Sequence, residues 1–393
     1  MTAAALCAVL AGCSTVEGIP VADPSVEAAF KLDTGNYPTT PRVVKAVTPA
    51  DAWQQEGFRI GDSVISPWDV DSSLTGTTVG EGGELVGPVW MPAQLGANGL
   101  ALPMTTEMLD AFKSSPFQAG FVAAAQNADK TKVFRAALFR YPSADAVRTV
   151  VDAAVAKNPT PGTQNLVPGA VTLMVTGTSG GDTVTVGIAK GAMLALLSLT
   201  SATTNVDATK AILTKAVQLQ TPKIDEYKPS PSSGAMPNVP MDRDGIMSRT
   251  LASRPGSDYN NALSPEFNWT DGYSTAGTFA RLLVQNRGVD TRWGVDLVGR
   301  TSFVSVLRLP NEQKAGEYIQ TDALNPSPGN PFATVPGINS SLARCYSGST
   351  RDRVVHTCAV HGRYVAYTVG TTLQRVMQAA SAEYLILKAA GPN

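Results

Sequence analysis

Two groups of residues in this sequence have types and spacings that could carry chemistry, and a cysteine stands in each. The first is Leu10-Ala11-Gly12-Cys13, which follows a short apolar run that begins at Ala3. Small residues before a cysteine let a peptidase approach the backbone closely, and the cysteine thiol can then carry a diacylglycerol group. The pattern predicts a lipoprotein signal over residues 1–13, with lipidation at Cys13.

The predicted signal lacks the basic start that secretory signals normally have. Only twelve residues precede Cys13, and the first basic residue is Lys31. We interpret Met1 as a late or misassigned start. The alternative is a buried Ala/Leu helix with an incidental cysteine. The run is too short to span a bilayer, so anchoring would depend on acyl chains, of which two or more hold stably.

The second group surrounds Cys345 and Cys358, because the only two histidines, His356 and His361, flank Cys358. An even pair of cysteines in an exported chain predicts a disulfide. A hairpin that turns near residues 351–352 would place the two cysteines opposite each other. A zinc site is the alternative. The histidines are an odd number of residues apart and should face opposite sides of a strand pair, so we predict a disulfide and no metal.

No combination of nucleophile and base stands out in the rest of the chain. His356 could pair with any of many serines, and no Gly-x-Ser-x-Gly elbow marks one of them. Residues 178–182 are glycine-rich but lack the lysine of a phosphate-binding loop. Residues 242–245 offer too few ligands for a calcium loop. We therefore predict no catalytic residue and no cofactor.

The composition is that of a folded protein of low charge. Of 393 residues, 43% are hydrophobic and 16% are charged, and the formal net charge is −1. This composition lies far from that of disordered chains. The net charge argues against a nucleic-acid partner, which requires a basic surface, and against a polybasic membrane patch. The 35 glycines and 27 prolines predict many turns and, with abundant Thr and Val, much β structure.

The chain divides into an anchor, a tether and two domains. Residues 14–30 are small and polar without periodicity, which predicts a flexible tether. Residues 222–240 contain five prolines with serines between them, which predicts a semi-rigid linker. The N-terminal domain would then span residues 31–221, and the C-terminal domain, with the disulfide, would span residues 241–393.

Several helices and strands are predicted locally. Thr48 and Pro49 predict a helix start, and Gly57 predicts its end. Residues 133–140 read as a strand. Ser143 then caps a helix with a single apolar stripe, formed by Val147, Val150, Val151, Ala154 and Val155. A further helix is predicted over residues 206–219.

The second half of the chain repeats this order of elements. Residues 302–308 form a predicted strand that ends at Leu309-Pro310, and Asn311 caps the following helix. An offset of 168 residues aligns Pro142 with Pro310 and places Arg140 on Arg308. We infer an internal duplication. The predicted fold class is α+β, in two related copies, each an antiparallel sheet with helices packed on one face.

Two stretches resemble known proteins. The sequence Leu32-Asp-Thr-Gly-Asn-Tyr-Pro-Thr-Thr-Pro-Arg42 after the lipoprotein signal resembles a family of lipoproteins of unknown function from mycobacteria, nocardiae and rhodococci. The C-terminal pattern around Cys345 and Cys358 is similar to that family's ending. It is more distantly similar to the extracellular sensor domain of a mycobacterial serine/threonine kinase. The resemblance implies location and architecture, and no catalytic residue is transferred from it.

These observations lead to an expectation about function. We expect an exported lipoprotein on the extracytoplasmic face of the cell membrane, acting as a non-catalytic ligand-binding or sensor module of the envelope. Its ligand would be an envelope lipid or glycolipid, because the protein carries little charge. The alternative is a structural protein that docks another envelope protein. A hydrolase with His356 or His361 as its base is the third hypothesis.

Overall fold

Two six-stranded antiparallel sheets form the framework of the protein. The computed structural model describes residues 32–44, 48–78, 86–90, 94, 109–110, 112, 114–156, 166–178, 181–203, 205–233, 236–252, 271–301, 304–321, 332–350 and 353–391. The predicted signal, Cys13 and the predicted tether lie outside these residues.

The first sheet has the strand order β1-β2-β3-β6-β5-β4. Its strands are β1 (Gly87–Val89), β2 (Ala119–Gln126), β3 (Lys132–Arg140), β4 (Val171–Thr178), β5 (Gly181–Lys190) and β6 (Met193–Ser201). A two-stranded ribbon follows it in the chain and consists of β7 (Ser232–Ser233) and β8 (Met236–Pro237).

The second sheet repeats the topology of the first. Read from one edge its order is β9-β10-β11-β14-β13-β12, so the third and the sixth strand of each sheet are neighbours. Its strands are β9 (Gly272–Thr275), β10 (Leu297–Arg300), β11 (Val304–Arg308), β12 (Ala343–Thr350), β13 (Arg353–His361) and β14 (Tyr364–Gly370).

The helices follow the same repeat. In each unit one helix follows the third strand and a longer one follows the sixth. Among the described residues, no helix has the length and hydropathy needed to cross a bilayer. The helices are α1 (Pro49–Gly61), α2 (Pro67–Val70), α3 (Ala144–Ala156), α4 (Val206–Glu226), α5 (Ala276–Leu282), α6 (Val289–Trp293), α7 (Glu312–Thr321) and α8 (Leu373–Ala390).

The predicted class, two related α+β units with antiparallel sheets, is confirmed. Arg140 and Arg308, which the repeat aligns, are the last residues of β3 and β11. The stripe on α3 is also present, because Val147, Val150 and Ala154 are buried.

The first sheet is covered by helices on both faces, and the prediction of a single covered face was wrong. Leu194 and Leu196 of β6 pack with α3. Their neighbours Ala195 and Leu197 point the other way and pack with α4. The sequence carries the signal, because β2 and β6 are near-continuous runs of apolar residues, without the alternation of apolar and polar residues that a sheet with one exposed face shows.

The second sheet is enclosed in the same way. Val360 and Ala366 lie in the core that includes α8. The adjacent Ala359 and Val365 lie in the opposite core, which includes residues of α5, α6 and α7. The repeated topology is therefore accompanied by repeated packing on both faces.

Residues 32–44, which we name the strap, pack on the second unit, although the sequence predicted them to be part of the N-terminal domain at 31–221. The Arg42 guanidinium donates from Nε to the carbonyl oxygens of Met247 (3.3 Å) and Thr250 (3.0 Å). Contacts so distant along the chain are invisible to local patterns. The strap residues packed against the core of the second unit are Leu32, Tyr37 and Val44.

Helix α4 runs seven residues beyond its predicted end, so residues 222–226 of the predicted semi-rigid linker are helical. Pro222 lies inside the helix. Tertiary contacts stabilise the C-terminal turns of this helix, where Ile224 is buried in the core of the first unit. Gln220 is buried, and its side chain accepts a hydrogen bond from Ile65 N (3.1 Å) and donates one to Ser63 O (2.7 Å).

Candidate functional site

Helix α1 contacts both sheets, and we name it the junction helix. Its N-terminus follows the predicted pattern: Thr48 and Asp51 form a capping box, and Pro49 occupies the first turn. The predicted end at Gly57 was wrong, since the helix continues to Gly61. A Cβ at Gly57 would lie 2.9 Å from Gly120 O, so this glycine permits a close helix–strand approach instead of ending the helix.

On its other side the junction helix is hydrogen-bonded to β9. Gln55 is fully buried; its Nε2 donates to Tyr273 O (2.9 Å) and its Oε1 accepts from Tyr273 N (3.1 Å). Gln54 Nε2 donates to Asp271 O (2.6 Å). One helix thus supplies an edge partner to the second sheet while it packs on the first.

Helix α5 holds the same junction from the second unit. Asp62 accepts hydrogen bonds from the hydroxyl groups of Thr275 and Thr278. The buried Arg281 donates to Ser66 Oγ (3.1 Å) and Gly61 O (3.1 Å). The junction is therefore a polar and largely buried contact between the two units.

We expect Gly61→Ala to loosen this junction. A Cβ at Gly61 would lie 2.6 Å from Thr278 Cγ2 and 2.9 Å from the Phe121 ring. Overpacking of this kind costs about 1–3 kcal/mol, measurable by urea unfolding. Gly277→Ala in α5 is the control. A Cβ at Gly277 would meet nothing closer than the Arg281 guanidinium at 3.5 Å, an ordinary van der Waals distance, so this substitution should be neutral or stabilising. Equal stability of Gly61→Ala and wild type would contradict this account.

The densest polar cluster surrounds Glu56 in the junction helix. The Glu56 side chain is fully buried. Its Oε1 accepts from Arg140 Nη1 (2.8 Å), Tyr227 OH (2.5 Å) and Ser230 N (3.0 Å). Its Oε2 accepts from Arg59 Nη1 (2.6 Å) and Ser230 Oγ (2.8 Å). Five donors therefore saturate one carboxylate. We name these five residues the Glu56 cluster.

The electrostatics of this cluster hold Glu56 in its charged form. Burial alone would raise the pKa of Glu56, but the hydrogen bonds from Tyr227 and Ser230 and the charge of Arg59 outweigh it, so that the pKa lies below its usual value. Burial and the charge of Glu56 raise the pKa of Tyr227. The carboxylate is thus a fixed anion and is not available as a proton donor at neutral pH.

Cys345 and Cys358 lie directly opposite each other on β12 and β13, are fully buried, and are joined by a disulfide. Their side chains point into the core beneath α8. In the described part of the chain, no three His, Cys, Asp or Glu side chains are grouped to hold a metal ion. The His361 side chain lies outside the description.

His356 is paired with a serine that no sequence pattern marked. Ser347 Oγ lies 2.7 Å from His356 Nδ1, since the two residues are opposite each other on β12 and β13. Burial lowers the pKa of His356, which favours a neutral imidazole. No carboxylate of the described residues is hydrogen-bonded to it. The described residues therefore supply Ser347 and His356 but not the third group that orients the base in a hydrolase triad.

Glu383 of α8 is a buried acid that the sequence reasoning missed. It is fully buried; its Oε2 accepts from Leu251 N (3.1 Å), while Oε1 has no partner among the described residues. A signal was present in the sequence, because Glu383 lies on the apolar stripe of α8 between Ala380 and Leu387.

We expect the stability of the protein to fall with rising pH because of Glu383. Burial raises the pKa of Glu383 from 4.5 to about 8, although the Leu251 N–H and the charge of Arg42 act in the opposite direction. The neutral carboxyl contributes stability that is complete below pH 4.5 and is lost as pH rises towards 8, at no more than about 1.4 kcal/mol per pH unit.

Glu383→Gln isolates this effect, because it keeps an acceptor for Leu251 N without a titrating group. We expect the variant to gain stability over wild type progressively between pH 4.5 and 8 in urea unfolding. A difference between the two proteins that does not change with pH would contradict the buried-acid account.

Comparisons with known proteins place the chain in a family. The model described as "Domain of unknown function (DUF7373) N-terminal" matches residues 43–239. None of the curated proteins compared with the chain matches it. The extracellular domain of PknH from Mycobacterium tuberculosis is similar to 46% of this chain, with 98% of that domain covered, 10% identity and a TM-score of 0.24. This similarity is weak and carries no argument about function. The family match spans half of the chain, and the protein therefore belongs to the DUF7373 family.

Proposed function

We propose that this protein is an exported lipoprotein of an actinobacterial cell envelope, anchored by lipid on Cys13 at the extracytoplasmic face of the cell membrane. The lipoprotein signal predicted over residues 1–13 supports the anchor. The cross-strand pair Cys345–Cys358 supports export, because structural disulfides persist in oxidising compartments.

The proposed role is that of a non-catalytic module that binds a ligand, an envelope lipid or glycolipid. The Glu56 cluster is the observation that carries this role. It is a preorganised polar site in which two arginines of the first unit converge on one buried carboxylate of the junction helix. Its acid is saturated by donors and its hydroxyl groups are engaged with that acid. Charged groups that are held in place in this way can fix the orientation of a bound ligand.

Native mass spectrometry with lipid extraction tests the proposal. The protein would be purified from an actinobacterial host as the full chain with Cys13→Ser, so that a bound ligand is not confused with the covalent lipid. We expect a stoichiometric lipid or glycan adduct. A clean apo mass would count against ligand binding. Wild-type protein in the membrane fraction and Cys13→Ser in the soluble fraction would support the anchor, whereas equal distribution would contradict it.

The second candidate function is docking of another envelope protein. The junction favours it, because the buried side chains of Gln55 and Arg281 and the exposed Asp62 hold the two units in a fixed arrangement that presents a constant surface. Cross-linking in cells distinguishes the two roles. A single cross-linked protein partner, together with an apo mass, would support docking as the function and count against ligand binding.

A further inference from the structure

We infer that Arg140, Arg59 and Trp53 form the binding site for an anionic group of the ligand, a phosphate or a carboxylate. The inference rests on the proposed function, that is, on the protein binding a ligand, and it names the residues and the chemistry that would recognise it.

The first argument is an excess of positive charge. Arg59 and Arg140 both pair with Glu56, through Nη1 atoms 2.6 Å and 2.8 Å from its oxygens. Neither arginine forms an ion pair with a second carboxylate among the described residues. Within the described part of the chain, one buried anion thus faces two guanidinium groups, an excess of one positive charge that an external anion could balance.

The duplication provides an internal comparison. Arg308 occupies the position in β11 that Arg140 occupies in β3. Arg308 binds Asp296 through two hydrogen bonds (2.8 Å and 2.6 Å) and Asp244 through a third (3.0 Å). Asp244 also lies 3.9 Å from Arg243 Nε, so in the second unit two acids face two arginines. In the first unit two arginines share one acid. Among the described residues, Arg308 therefore has an acid of its own, Asp296, whereas Arg140 shares its acid, Glu56, with Arg59.

The second argument is the supply of hydrogen-bond donors. Arg140 uses Nη1 for Glu56, and no described residue accepts a hydrogen bond from its Nε or Nη2. Its side chain retains 11% of its exposure, and that of Arg59 retains 33%. A guanidinium group presents its donors as a planar fork that matches two oxygens of a phosphate or carboxylate.

The third argument is an aromatic surface beside the charge. The Arg140 guanidinium lies over the Trp53 ring, 5.4 Å from its centroid. Trp53 is only partly buried. An indole next to a cation can pack against the sugar or glycerol part of a ligand while the arginines bind the anion. The Glu56 cluster beneath holds Arg140 in place, so the site is preorganised for binding.

Isothermal titration calorimetry on the full chain with Cys13→Ser tests the site, with dihexanoyl phosphatidylinositol, inorganic phosphate and acetate as probes. We expect the phosphatidylinositol to bind. Arg140→Lys keeps the charge and a contact with Glu56 but loses the fork, and Trp53→Leu loses the aromatic surface. We expect each variant to weaken binding about tenfold or more. Arg308→Lys is the matched control and should bind as wild type does.

The outcomes distinguish a phosphate from a carboxylate as the bound anion. They also distinguish failure of this site from failure of ligand binding as a whole. Competition by phosphate alone would assign a phosphate site, and equal competition by acetate would assign a site for either anion. The donors to Glu56 are Arg140, Arg59, Tyr227 and Ser230, so Trp53→Leu leaves the Glu56 cluster intact. This variant therefore tests the binding site even if Arg140→Lys fails to fold. Unchanged binding in the folded variants would overturn the inference and leave ligand binding intact. Failure of every probe to bind would also overturn it, while the native mass spectrum judges ligand binding independently.

Discussion

Replacing Glu56 by alanine is expected to destabilise the protein by about 3–5 kcal/mol, because removing one partner of a buried ion pair leaves the other charge uncompensated. Arg140 would keep its position at the end of β3 with 11% exposure and no anion beside it. Ser230 N and Tyr227 OH would lose their acceptor. The free energy of unfolding in urea measures the effect.

The matched control for this substitution is Glu226→Ala. Glu226 is the last residue of α4 and is exposed, and substitutions at such surface positions usually change stability by less than about 0.5 kcal/mol. Glu56→Gln tests the charge separately, since it keeps the shape of the side chain but presents a neutral amide to two arginines. A loss below about 1 kcal/mol in Glu56→Ala would show that the cluster contributes little to stability.

Removal of the disulfide is the second large effect. The double variant Cys345→Ala/Cys358→Ala is expected to lose about 3 kcal/mol, the loop-closure value for a loop of about 15 residues; the two cysteines are separated by 13 positions. Both side chains are fully buried, so replacement by alanine avoids placing a polar group in the core. Urea unfolding of the double variant and of the oxidised wild type gives the difference.

Burial also predicts how the disulfide responds to reductants. Because Cys345 and Cys358 lie in the core beneath α8, the folded protein should resist dithiothreitol until urea unfolds it, whereas the unfolded chain should be reduced at once. Free thiols in the folded protein purified from an oxidising compartment would contradict the pairing. A double variant as stable as wild type would show that the bond does not stabilise the fold.

The elements that were predicted correctly are those whose signals lie within a few neighbouring residues. The strand before Tyr141 and the capped helix with the Val147 and Val150 stripe follow from local periodicity. The capping box at Thr48 is equally local. The two wrong helix ends follow from intrinsic residue preferences. Gly57 and Pro222 each favour the end of a helix, but tertiary contacts continue both helices past these residues.

The Glu56 cluster could not be found by reading the chain. Glu56 lies in a helix with other polar residues, and its partners Arg140, Tyr227 and Ser230 are 84, 171 and 174 positions away. No spacing rule connects residues so distant. Glu383 is a different case, because an acid on an apolar stripe is a local anomaly and could have been recognised.

The α+β class, the duplication and the pair Cys345–Cys358 can be predicted without coordinates, because each is encoded by periodicity or spacing within the chain. The folded protein is needed to see that the strap packs on the second unit and that the junction helix contacts both sheets. The same holds for Glu56 as the common acceptor of donors from across the first unit. The physical reason is that burial and charge pairing depend on which distant segments meet, and a carboxylate becomes a fixed anion in the interior only when those segments supply its donors.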